Sequence, residues 1–152
     1  MRIVALVALL ASTLAACAPT LPNSVTAEAL DGAIADAIGD PGTCVLLGKT
    51  HAGGPDYRFG SAATCDRQLP TCSTGTQSAS DLWKAIAQSR QGFAASCPTL
   101  ADGSRSVGWA AGPVEATDLS YTAVMEGTST PPGVVIADKL KAVWAKVGLS
   151  RP

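Results

Sequence analysis

TCVLLGKTHAGGPDYRFG, residues 43–60, is the stretch from which the fold is read. Thr43 to Leu47 is β-rich and almost wholly apolar, the composition of an inner strand covered on both faces. Gly48 to Pro55 is glycine-rich and reads as a turn. Asp56 to Gly60 then alternates, with Tyr57 and Phe59 on one side and Arg58 on the other. Two strands joined by a turn make a hairpin, and a hairpin implies antiparallel pairing.

Helices are expected on either side of it. Upstream, Leu30, Ile34 and Ile38 recur every four residues, so Val25 to Ile38 reads as a helix. Ser24 or Thr26 can cap it, Glu28 suits its first turn, and Gly39 and Pro41 end it. Downstream, Ser61 to Gln77 is polar and holds two cysteines. It is long for a connection without structure of its own, which points to ordering by disulfides or to a binding role. Ser78 and Asp81 form a capping-box pattern opening a helix to about Phe93, with Leu82, Ile86 and Phe93 on one face and Trp83 beside them. Two alternating strands follow. One turns Val107, Trp109 and Ala111 inward, the other Leu119, Tyr121, Ala123 and Met125. After the Gly127 to Gly133 turn, Val134 to Val147 is a final helix, with Ile136, Leu140, Val143 and Val147 on one side. The order α-β-β-α-β-β-α predicts an α+β fold. It is a single small domain, an antiparallel sheet of four to five strands flanked by helices, with a fifth strand accommodated before Arg105.

The chain has 152 residues, 47% of them apolar, and a net charge of −1. No run of Lys and Arg offers phosphates a home, so nucleic acid is not an expected partner. The start has a different character. Arg2 precedes an apolar run from Ile3 to Leu14, and Leu14-Ala15-Ala16-Cys17 closes it with small residues before a cysteine. That order is an export signal, too short to span a membrane. Its last four residues resemble the lipobox of bacterial lipoproteins, in which the cysteine is acylated and becomes the first residue of the mature chain. The resemblance implies a signal peptide over residues 1–16, an anchor and Pro-containing tether over 17–24, and a domain over 25–152. It places the protein on the periplasmic side of a membrane. Ala18 stands where, in enterobacterial lipoproteins, an aspartate resembles an inner-membrane retention signal, and its absence favours the outer membrane.

With Cys17 acylated, Cys44, Cys65, Cys72 and Cys97 remain, an even number in an oxidising compartment, and two disulfides are expected. Three pairings are open. Cys44 with Cys65 is preferred because a hairpin brings the start of its first strand near the end of its second, which leaves Cys72 with Cys97. A zinc site is disfavoured, because Cys65 and Cys72 are seven apart and His51 alone could join them.

The sequence carries no complete catalytic motif. Gly48-Lys49-Thr50 ends a strand, but Gly42 is one residue too far upstream for a phosphate loop. The stretch from Cys65 to Thr74, following a hairpin, resembles the approach to the nucleophile in class D β-lactamases and penicillin-binding proteins, and Val107-Gly108-Trp109 adds to it. Those families also pack an N-terminal helix, a hairpin, further strands and a C-terminal helix into one half-domain. Their chemistry needs a lysine three residues after the serine. Here Ser73 is followed by Thr76 and Ser78 by Asp81, while Asp81-Leu82-Trp83-Lys84 has the lysine without the serine. Lys49-Thr50-His51 comes too early to be their Lys-Thr-Gly. His51, the only histidine, is a candidate base or contact residue in a glycine-rich turn. Asp56, Asp66, Asp81 and Glu126 could pair in space. Trp83, Trp109 and Trp144, with Tyr57, Phe59, Phe93 and Tyr121, are expected mainly in the core. Arg67 and the Gly127 to Gly133 turn are the best places for a partner to touch.

The expected function is therefore a non-enzymatic, lipid-anchored envelope protein that binds or supports an envelope protein or peptidoglycan, with no cofactor implied. A hydrolase or acyl-transferase acting on peptidoglycan is the alternative. A small-ligand sensor of profilin, roadblock or PAS type shares the strand and helix order by analogy.

Overall fold

Strand β1 (Thr43–Lys49) lies inside a five-stranded antiparallel sheet. The computed structural model describes residues 21–150, so the expected signal peptide and Cys17 lie outside the described residues. β2 (Tyr57–Phe59) pairs with β1 as the hairpin requires, Leu47 opposite Tyr57 and Val45 opposite Phe59. On its other side β1 pairs with β7 (Leu119–Gly127), Val45 opposite Ala123. β6 (Ser106–Pro113) follows, and β5 (Phe93–Pro98) forms the far edge.

The sheet is covered on both faces, which is why β1 reads as an almost unbroken apolar run, while β7, buried from Leu119 to Glu126, carries Ser120, Thr122 and Glu126 among its apolar residues. One face carries Val45, Leu47, Leu119, Tyr121, Ala123 and Met125 under helices α1 (Ala27–Ile38) and α4 (Gly133–Lys146). The other carries Cys44, Leu46, Val107, Trp109, Ala111 and Val124 under α3 (Ala79–Ser89). Edge strand β5, covered less fully, keeps a clear alternation of half-buried and exposed residues. Trp83 and Trp109 are both buried, and their indole N–H groups donate to the Ser120 and Pro70 carbonyls at 3.2 and 2.7 Å. Among the described residues, no helix is long and apolar enough to cross a membrane.

Both expected disulfides form, Cys44–Cys65 and Cys72–Cys97. Thr26 rather than Ser24 caps α1, its side chain accepting from the Ala29 N–H at 3.2 Å. The packed body begins before that cap, because Leu21 and Val25 lie against the core. Part of the segment expected as tether is thus folded.

Two local expectations need correction. The central helix stops at Ser89, not Phe93, and Phe93 opens the fifth strand. Arg90 turns the chain there with a left-handed backbone, φ 55°. Such a conformation is costly for a residue with a Cβ. Long-range bonds offset it, since the Arg90 guanidinium donates to the Thr50 hydroxyl at 3.2 Å and the Thr117 carbonyl at 3.0 Å. The Ser61 to Gln77 connection also has structure of its own. It holds the single turn α2 (Ala62–Cys65) and a small ladder of β3 (Leu69–Pro70) with β4 (Thr76–Gln77).

Candidate functional site

At the end of the sheet where β1 begins and β7 ends, the surface opens into a cleft of about 530 Å³. Asp40, Gly42, Thr64, Arg67, Arg105 and Glu126 line it, with the Gly127-Thr128 turn at one side. Each charged group is positioned by an element already described. The Cys44–Cys65 bond pins α2 to β1, which sets Arg67, two residues further on, over the opening. Arg105 directly precedes β6, and Glu126 is the last residue but one of β7. Because Ser106 pairs with Gly127, antiparallel register brings these two charges together.

Glu126 is the centre of the arrangement. Its side chain is 6% exposed, whereas those of Arg67 and Arg105 are 42% and 41% exposed. Arg105 grips it bidentately, with Nε to Oε1 at 2.7 Å and a terminal nitrogen to Oε2 at 2.6 Å. The Thr99 hydroxyl donates to Oε1 at 3.2 Å, and Arg67 approaches Oε2 at 3.4 Å. Hydrogen bonding from Arg105 holds the Glu126 carboxyl below the usual carboxylate range. Burial pulls the other way, while the charge of Arg105, the Thr99 bond and Arg67 reinforce the lowering.

An unfolded glutamate titrates near about 4.3, above Glu126 in the folded domain, so the native state binds fewer protons on that side chain. Its contribution is full above the unfolded value and is lost as pH falls through the folded one. Thermal melts of wild type and Glu126→Gln should differ clearly at neutral pH and converge at acid pH. A gap that stayed constant from neutrality to well below about pH 4 would mean that the carboxylate is not what Arg105 holds.

Arg67 and the Gly127 turn, singled out separately, therefore meet in one site. His51 does not join them. It is exposed, in a left-handed turn (φ 63°) beyond the opposite end of β1, a seven-residue strand about 20 Å long at roughly 3.3 Å per residue. The carboxylates do not pair with one another. Asp56 accepts from the Lys49 N–H, Asp66 from the Ser80 hydroxyl, and Asp81 from the hydroxyl of Ser78, the residue that caps α3. The aromatic residues divide between the two sheet faces, Tyr57, Tyr121 and Trp144 on one and Trp83 and Trp109 on the other, and form no common groove.

At the positions where a serine nucleophile and lysine would stand, Asp81 and Lys84 form an ion pair at 3.7 Å, each more than half exposed. The Ser78 hydroxyl donates to the Asp81 carboxylate at 2.8 Å and accepts the Asp81 N–H at 3.1 Å. That is a capping arrangement, with the acid close to what the sequence pattern suggested. Among the described residues, no three His, Cys, Asp or Glu side chains gather as a metal would require.

The Arg105–Glu126 pair was not foreseen. A signal existed, because Glu126 is the lone charge of β7, near its end, and Arg105 directly precedes the strand paired with it. Comparison with protein-family models, curated proteins and solved structures finds no match for this chain.

Proposed function

We propose that this is a lipid-anchored protein of the bacterial envelope whose folded body binds an envelope component, peptidoglycan or protein, without transforming it. The observation that carries the binding half of this reading is the cleft. Two loops of the kind that make contacts converge there on half-exposed guanidinium groups, and both are braced, one by the Cys44–Cys65 bond and the other by Pro131-Pro132. The anchoring half is supported by Leu14-Ala15-Ala16-Cys17 and by four further cysteines paired as an exported chain would have them. Ala18 after the acylated cysteine favours the outer membrane.

One observation favours a second reading, descent from a serine acyl-transferase. α1 and α4 pack side by side on one face of an antiparallel sheet with α3 on the other, the kind of half-domain that resemblance implies. The side chains argue that any such chemistry has been lost, because an aspartate occupies the nucleophile's place and its lysine is spent on a surface ion pair. A fluorescent penicillin separates the readings. The binding reading expects no covalent label on the purified protein, and stoichiometric labelling would replace it with the enzymatic one.

A further inference from the structure

Four charges face the cleft, and the way their bonds are used is unequal. An arginine side chain has five N–H donors. Glu126 takes up the Nε and one terminal nitrogen of Arg105 and one terminal nitrogen of Arg67. The second terminal nitrogen of Arg105, and the Nε and other terminal nitrogen of Arg67, have no partner among the described residues. Both oxygens of Glu126, by contrast, are fully engaged. Two guanidinium groups against one saturated carboxylate leave a single positive charge on that wall.

Asp40 also lines the cleft. One of its oxygens accepts the Gly42 N–H at 2.9 Å, and the other has no partner among the described residues. Its charge is near enough to reinforce the protonation of Arg105. The cleft therefore has one wall with unused donors and net charge of one, and one rim with an unused anionic acceptor. Its volume lies within the range of about 300–1,000 Å³ over which proteins take small ligands.

Resting on the binding reading above, we propose that this cleft receives a group carrying one carboxylate and one ammonium, as at the end of an amino acid or short peptide. The carboxylate lies against Arg67 and the free nitrogen of Arg105, and the ammonium against Asp40. A monoanion matches the single positive charge of the guanidinium wall. A phosphate dianion would exceed it and would face both Glu126 and Asp40, so charge selects against it.

The test is an NMR titration of the purified full-length chain in detergent micelles. The probes are the dipeptide Ala-Ala, its C-terminal amide, its N-acetyl form and inorganic phosphate. Ala-Ala is expected to shift the amides of Gly42, Gly127 and Thr128 saturably. Removing the carboxylate charge should weaken binding about tenfold or more, the range of a charge-assisted hydrogen-bond pair. N-acetylation should weaken it less. Arg67→Gln should lose the dipeptide with an unchanged thermal midpoint, since its tie to Glu126 is the long, exposed one. Asp40→Asn should weaken Ala-Ala but not its N-acetyl form. Phosphate binding as tightly as the dipeptide, or Arg67→Gln binding it normally, would overturn the proposal. If no probe binds while a photo-reactive side chain at Thr128 still captures an envelope component that one at Gly32 does not, the charge-matching inference falls and the binding reading stands. Failure of both takes both.

Discussion

Replacing Gly133 by alanine should destabilise the domain by about 3 kcal/mol or more, and valine should unfold it under ordinary conditions. Gly133 is the first residue of α4 and rests directly on the backbone of β5 and β6. A Cβ there would overlap the Trp109 carbonyl oxygen and lie 2.6 and 2.8 Å from the carbonyl oxygen and nitrogen of Ala95. Those atoms are main chain in a paired ladder and cannot swing aside. The contact is fixed further by the Gly133 N–H, which donates to the Ser96 hydroxyl at 2.7 Å. Relief would require α4 to lift, and α4 brings Ile136, Leu140, Val143 and Trp144 into the core. Total stabilities of small domains run to only about 5–15 kcal/mol. Gly32 is the control, because a Cβ there meets nothing within 4 Å on the exposed side of α1. Gly32→Ala should stabilise by about 0.5–1 kcal/mol through helix propensity. Urea midpoints of the two variants decide the point, and a Gly133→Ala protein as stable as wild type would refute this account of how α4 docks.

Removing the Cys44–Cys65 bond by a double alanine substitution should cost about 3 kcal/mol. The bond closes a loop of sequence separation 21, and chain entropy gives roughly that figure for a loop of this length. Both cysteines are buried in the α3-side core, so the lost sulfurs add a small cavity term. The functional consequence is more specific. α2 would no longer be pinned to β1, and Arg67 would lose its place over the cleft. The double variant should therefore lose the dipeptide under conditions where its sheet amides remain protected from exchange. Retained affinity would show that Arg67 is positioned by something other than this bond.

How much of this was legible beforehand depends on whether an element is set by its own pattern or by distant partners. β1 announced itself because a strand buried on both faces is apolar almost throughout, and the hairpin turn supplied the direction of its neighbour β2; β7 was readable from the alternation of Leu119, Tyr121, Ala123 and Met125. Of three open disulfide pairings, the hairpin favoured Cys44 with Cys65 and left Cys72 with Cys97, the pairing the structure has. The end of α3 was not readable, because the stop at Arg90 is made by Thr50 and Thr117, 40 and 27 residues away in sequence. β5 was hidden for the same reason: Leu82, Ile86 and Phe93 continue a helical spacing that only the Arg90 turn interrupts. Of the cleft, Arg67 and the Gly127 turn could be picked out as contact-making loops. Glu126 stood out as a carboxylate that could pair in space, but its partner Arg105 and the neighbouring Asp40 did not, because their meeting depends on the register of β6 against β7 and on the approach of the loop before β1.

The reading as a whole stands or falls on the covalent state of the full-length chain made in a bacterial cell. Intact-mass and peptide mass spectrometry of the protein from the membrane fraction should find Cys17 as its first residue, carrying acyl chains. The other four cysteines should resist alkylation until reduced, yielding Cys44–Cys65 and Cys72–Cys97 peptides. A chain recovered from the cytosol, beginning at Met1 with five free thiols, would contradict it.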